Sequence, residues 1–111
     1  MSMDRYYPIG TPGKAWGAPE RAQWLALQRR LRSYVDEVVQ VIDGLRDRFD
    51  VVDYGRIDYA GEVFVLHALR SRGWDDSLPT VLVTGGVHGY ETSGVHGALR
   101  FLQQDAQRYS G

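Results

Sequence analysis

The sequence predicts an α/β fold, and three observations carry that expectation. Apolar residues recur every three or four positions from Trp24 to Phe49, which is a helical period. Two β-rich runs follow, Phe49 to Ile57 and Glu62 to Arg70, with Asp58-Tyr59-Ala60-Gly61 between them as a hairpin turn. A continuous apolar run, Val81-Leu82-Val83, then leads through Gly85-Gly86 into a second helical pattern. The expected order is a long helix, a β-hairpin, a buried strand and a helix.

Residues 1–19 read as an irregular N-terminal arm. Pro8, Gly10, Pro12, Gly13, Gly17 and Pro19 punctuate it every few positions, and Tyr6, Tyr7 and Trp16 give it apolar surface to pack. The helix is expected from Pro19 to Arg48. Proline suits a first-turn position, and Glu20 suits the positive end of the helix dipole. Trp24, Leu27, Leu31, Val35, Val38, Ile42 and Leu45 form its apolar stripe. A helix of about 29 residues would span roughly 43 Å, long for so small a core, so a break near Ser33 or an end near Gly44 is expected. The cluster Arg29-Arg30-Leu31-Arg32 reads as a solvated helix face, because acids follow within two turns and no aromatic platform interleaves.

In the second strand Val63, Val65, His67 and Leu69 alternate onto one face. Arg72 to Pro79 is a polar loop. Val81 to Val83 suits a strand buried on both faces. The last helix is expected from Glu91 or Thr92 to Arg108, with Val95, Leu99 and Leu102 on one stripe.

Composition narrows the function classes. The chain has 111 residues, 43% hydrophobic and 24% charged, which suits one small folded domain and excludes disordered or collagen-like chains. A net charge of −1 leaves no whole-chain field to attract nucleic acid or an anionic membrane. The absence of cysteine excludes disulfides and thiolate metal sites. No signal-peptide core and no apolar stretch of membrane-span length are visible. A cytoplasmic protein is therefore expected.

The chemistry is concentrated between the third strand and the last helix. There a strand ends, two glycines permit a tight turn, His88 appears, and Glu91 follows three residues later at a helix start. Ligands of open α/β sheets bind beyond the carboxyl ends of strands, where these residues fall. A neutral imidazole and a carboxylate at this spacing can grip one divalent cation, and zinc accepts both ligand types. The residues alone leave a second reading open, with His88 as a hydrogen-bonded turn residue and Glu91 as an acid favoured by the helix dipole.

The string Gly85-Gly86-Val87-His88-Gly89-Tyr90-Glu91-Thr92-Ser93-Gly94 resembles the zinc-binding signature of the M14 metallocarboxypeptidase superfamily, including its succinylglutamate desuccinylase/aspartoacylase branch. The resemblance covers about Val51 to Gln104. It implies that residues 20–111 are the N-terminal part of a zinc carboxypeptidase-like mixed-sheet α/β domain. It also implies that His88 and Glu91 are two of three zinc ligands, and that the reaction is hydrolysis of an amide or peptide bond by metal-activated water. The substrate would be a peptide or an N-acyl amino acid. Tyr90 stands where Asn is common, and Tyr59-Ala60-Gly61-Glu62 puts an acid where the hairpin of the family has a basic residue.

The third ligand, the general base and the substrate-carboxylate arginines of that family lie downstream of this chain, so no catalytic residue is assigned within it. His96 lies five residues after Glu91, about 140° round the helix, and His67 reads as a satisfied core or edge histidine. The chain alone is expected to be weakly active or inactive. The alternative is a catalytically inactive fragment or paralogue acting as an interaction module, with self-association through an incomplete sheet edge.

Overall fold

A computed structural model describes residues 8–89 and 91–109. The chain divides into two compact units, with the boundary after Leu31. The predicted core of the arm, Tyr6 and Tyr7, lies outside the described residues.

In the first unit Gly10 takes a left-handed φ of +84°, and a Cβ there would stand 2.7 Å from Trp16 Nε1. Glycine at this position lets the indole lie against the backbone. Helix α1 spans Ala18–Leu27. Glu20 Oε2 accepts the Gly17 N–H at 2.8 Å, which satisfies one donor at the helix start. The helix ends where Gln28 turns to an extended ψ of 140° and donates from Nε2 to the Trp24 carbonyl at 3.2 Å. No α1 residue is buried; Trp24, Leu25 and Leu27 are exposed.

The single long helix of the sequence reading is thus corrected to separate segments. Helical backbone resumes as a π-helical turn at Val35–Val39, which runs directly into α2 at Gln40–Asp43. The break covers the expected position at Ser33, and its causes are local. Arg29, Arg30 and Arg32 crowd like charges into one turn with no acid before Asp36. Ser33 Oγ then accepts the Asp36 N–H at 3.1 Å, so this side chain starts a new helical segment in place of continuing an old one. The expected end near Gly44 also occurs.

In the second unit Ile42, Leu45, Phe49 and Leu99 are buried, Leu45 to 1% exposure. Strands β1 (Phe49–Tyr59) and β2 (Glu62–Ser71) form an antiparallel hairpin from Phe49↔Ser71 to Tyr59↔Glu62. Ala60 and Gly61, at φ +50° and +79°, close it with both central residues left-handed, the geometry that matches strand twist. A bulge at Tyr54 shifts the register, so that Asp53 faces His67 and Gly55 faces Leu66.

Tyr34 ties the helical segment to β2. Its hydroxyl donates to the Val65 carbonyl at 2.5 Å, and its ring meets Phe64 edge-on at 6.0 Å. Burial, with smaller contributions from Tyr54 and Asp53, holds the Tyr34 hydroxyl above its ordinary pKa. Helix α3, Ser93–Gln104, packs against the π-helical turn, and Arg48 Nη1 donates to the Gln103 carbonyl at 3.1 Å. It ends before the expected Arg108, and a 3₁₀ turn follows at Ala106–Tyr109.

The architecture is mixed α and β, as expected in outline. The buried third strand is not present. Among the described residues the sheet has two strands, and Val81 and Leu82 are 83% and 84% exposed. Apolar content favours burial, but a strand also needs a ladder partner for its N–H and C=O groups. The Val81–Val83 run has none among the described residues. No helix among the described residues is long and apolar enough to cross a membrane.

Candidate metal centre

The segment entering the site is anchored by an aspartate turn. Asp75 Oδ1 accepts the Ser77 N–H at 2.9 Å and its hydroxyl at 2.7 Å, and the Leu78 N–H reaches the Asp75 carbonyl at 3.2 Å. These bonds hold the Asp75 carboxyl below the ordinary carboxylate range. Arg70 lies 5.8 Å from the Trp74 ring centroid, joining the end of β2 to the same turn.

The double glycine then packs against the start of α3. A Cβ on Gly85 would stand 2.8 Å from the Gly94 carbonyl oxygen and 3.0 Å from Ala98 Cβ. Gly86 has φ +86°, and a Cβ there would stand 3.0 Å from Val95 Cγ2. Both positions therefore demand glycine, one for close approach and one for backbone conformation as well. Here the sequence expectation of a tight turn holds.

This contact brings His88 and Glu91 to one place. His88 Nδ1 and Glu91 Oε1 are 3.5 Å apart, with side chains 74% and 62% exposed. They line an open cleft of about 260 Å³ formed by Thr84–His88, Glu91, Ser93 and Gly94. Two ligands about 2.1 Å from a tetrahedral zinc lie about 3.4 Å apart. The observed separation is one that a single ion can bridge without moving either residue far. Imidazole nitrogen and carboxylate oxygen are also donor types that zinc accepts. Glu91 stands immediately before Thr92, the N-cap of α3.

The other two histidines are held elsewhere. His96, half-buried on α3, faces Arg32 Nη2 at 2.9 Å, and Arg32 Nε donates to Glu37 Oε2 at 2.9 Å. A guanidinium only donates, so His96 Nε2 is the acceptor in this contact. His67 is 7% exposed and meets Asp53 Oδ1 through Nδ1 at 2.6 Å. Its Nε2 is buried without a hydrogen-bond partner. The expectation of a satisfied histidine is thus met at one ring nitrogen and corrected at the other. Among the described residues, no group of three or more His, Asp or Glu side chains gathers closely enough to hold a metal ion.

The Asp53–His67 pair was not foreseen. The turn alone would place Asp53 opposite Ala68, since Tyr59 faces Glu62; only the bulge brings it opposite His67.

Comparison of the chain with protein-family models and with curated proteins finds no match in either.

Proposed function

We propose that this chain carries two ligands of a zinc site of the metallocarboxypeptidase type. The observation that supports this best is the 3.5 Å approach of His88 Nδ1 to Glu91 Oε1 at the mouth of an open cleft. The surrounding string, Gly85 to Gly94, adds the resemblance to a zinc-binding signature. The hairpin and the last helix flank this string as expected for the N-terminal part of such a domain, whereas the buried strand expected before it is not formed.

When bound, zinc would supply Lewis acidity for hydrolysis of an amide or peptide bond by water. The residues of this chain have narrower roles. His88 and Glu91 hold the ion. Gly85 and Gly86 seat the loop that presents His88 against α3, and Glu91 lies just before that helix begins. Hydrolysis also needs a third ligand, a base that takes a proton from water, and a group that holds the substrate. Among the described residues no third His, Asp or Glu gathers with His88 and Glu91. A peptide or an N-acyl amino acid is the proposed substrate class, and the 111-residue chain alone is expected to turn over little or none of it.

The test is calorimetric titration of zinc into the wild type, His88→Ala and Glu91→Gln. The reading expects binding in the wild type and a loss of roughly tenfold or more in affinity for each variant. Equal binding by all three proteins would sink it. A second reading, an inactive interaction module, is favoured by one observation. The apolar run Val81–Val83 is exposed, and such runs mark surfaces that another chain can cover.

A further inference from the structure

We propose that the first unit of this chain docks on an anionic lipid surface through α1 and the basic stretch that follows it. The proposal is independent of the zinc reading and concerns a different part of the molecule.

The first observation is charge. The net charge of −1 is an average over two units of opposite sign. Met1–Leu31 holds five basic and two acidic residues, a net charge of +3. Arg32–Gly111 holds eight basic and twelve acidic residues, a net charge of −4. Such an asymmetry points to an anionic partner for the basic part. No acid occurs between Glu20 and Asp36, and Arg21, Arg29, Arg30 and Arg32 all fall in that interval. The sequence reading set the arginine cluster on a solvated helix face balanced by later acids. The structure ends α1 at Leu27, so the cluster stands on no face of that helix, and Asp36 and Glu37 belong to the second unit.

The second observation is apolar exposure in the same stretch. α1 buries no residue, and Trp24, Leu25 and Leu27 are exposed. Leu31, among the arginines, is 87% exposed. These side chains call for apolar cover at the place where the arginines call for anions.

A lipid headgroup boundary supplies both. Its phosphate oxygens suit the planar fork of a guanidinium, and the hydrocarbon just beneath takes leucine and the amphipathic indole. A nucleic acid supplies phosphates but little apolar cover, and Trp24 is the one aromatic between Arg21 and Arg32 on which a base could stack. The second unit, at −4, gains nothing from an anionic surface, which confines the contact to the first.

The experiment is flotation of the full 111-residue chain with vesicles of phosphatidylcholine alone, and with vesicles in which about a third of the lipid is phosphatidylglycerol. The expected result is flotation with the anionic vesicles only, and release in about 0.5 M salt. Arg29→Ser with Arg30→Ser should lower the partition about thirtyfold, roughly fivefold for each arginine. Trp24→Ser should lower it about threefold or more. Arg56→Ser with Arg108→Ser, two exposed arginines of the second unit, should leave it unchanged. All these side chains are exposed, so far-UV circular dichroism should show the variants folded like the wild type. No flotation of the wild type, equal flotation with both vesicle types, or equal loss in the Arg56/Arg108 and Arg29/Arg30 variants would each overturn the proposal. Release by millimolar inorganic phosphate at constant ionic strength would overturn it in favour of a discrete phosphate site. Binding to a DNA duplex that anionic vesicles fail to compete would overturn it in favour of nucleic acid.

Discussion

The hairpin region and the loop that carries His88 both expose apolar side chains, but they differ in what holds the backbone. From Ile42 to Ser71, Ile42, Leu45 and Phe49 are buried while Val52, Tyr54, Ile57, Tyr59 and Val63 are exposed, and the backbone groups pair along a register that runs the length of both strands. From Thr80 to Gly89, Val81, Leu82, Val83 and Val87 are all exposed, and the backbone has no ladder. The contact that positions this second stretch is glycine backbone against helix backbone, at Gly85 and Gly94. One region is held by a paired backbone on a small buried base, the other by close approach at a few atoms.

Substitutions should separate the two regimes. The largest effect is expected at Leu45, the most deeply buried side chain. Leu45→Ala should cost about 2–5 kcal/mol, read as a fall in the midpoint of urea unfolding. The matched change in the loop, Leu82→Ala, should stay within about 0.5 kcal/mol. A loss at Leu82 comparable to that at Leu45 would mean that the loop is covered in solution.

Gly85→Ala comes next. The new methyl would press on the Gly94 carbonyl and Ala98, with a cost of about 1–3 kcal/mol. Unlike Leu45→Ala, it should also move His88 relative to Glu91, so zinc affinity should fall more than stability predicts. Calorimetry beside thermal unfolding measures both quantities.

The hairpin turn offers a gain. Ala60 sits at φ +50°, a region costly to residues with a Cβ and well tolerated by asparagine. Ala60→Asn should stabilise the chain by roughly 0.5–1 kcal/mol in the same unfolding assay.

The smallest effect concerns pH. The Asp75 carboxyl is held low by Ser77, so the folded value lies below that of the unfolded chain. Its contribution is complete above about pH 4, the ordinary carboxylate value, and is lost as pH falls through the depressed folded value. Ser77→Ala should raise the Asp75 pKa toward its ordinary value, as read by carbon NMR of the side-chain carboxyl.

The hairpin was legible in the sequence because its signals agree. β-branched and aromatic residues fill both strands, and Ala60-Gly61 falls where a turn must. The strands proved slightly longer than expected, since the pairing extends to Tyr59 and Ser71. The break in the long helix was legible only from its length, because periodicity from Trp24 to Leu45 is the same whether or not the helix is continuous. Helical backbone restarts where the Ser33 hydroxyl accepts the Asp36 N–H, a contact that periodicity does not report. The third strand was misread for a different reason. Val81-Leu82-Val83 reports a preference for burial and says nothing of a pairing partner.

At the candidate site, the spacing of His88 and Glu91 and the need for two glycines could be read directly. Their 3.5 Å approach could not, because it depends on how Gly85 seats against α3. The Asp53–His67 contact was hidden by one extra residue in β1, and no local preference of Tyr54 announces a bulge.

The seating of Gly85 on Gly94 has a mechanical consequence. Backbone atoms have no rotamers, so this joint has no side-chain hinge through which the loop can swing. The loop at Gly85 and the helix at Gly94 can separate only by opening this close approach. The place where the loop enters the cleft is therefore set by where α3 begins, and α3 is itself tied near its far end by Arg48 on the Gln103 carbonyl.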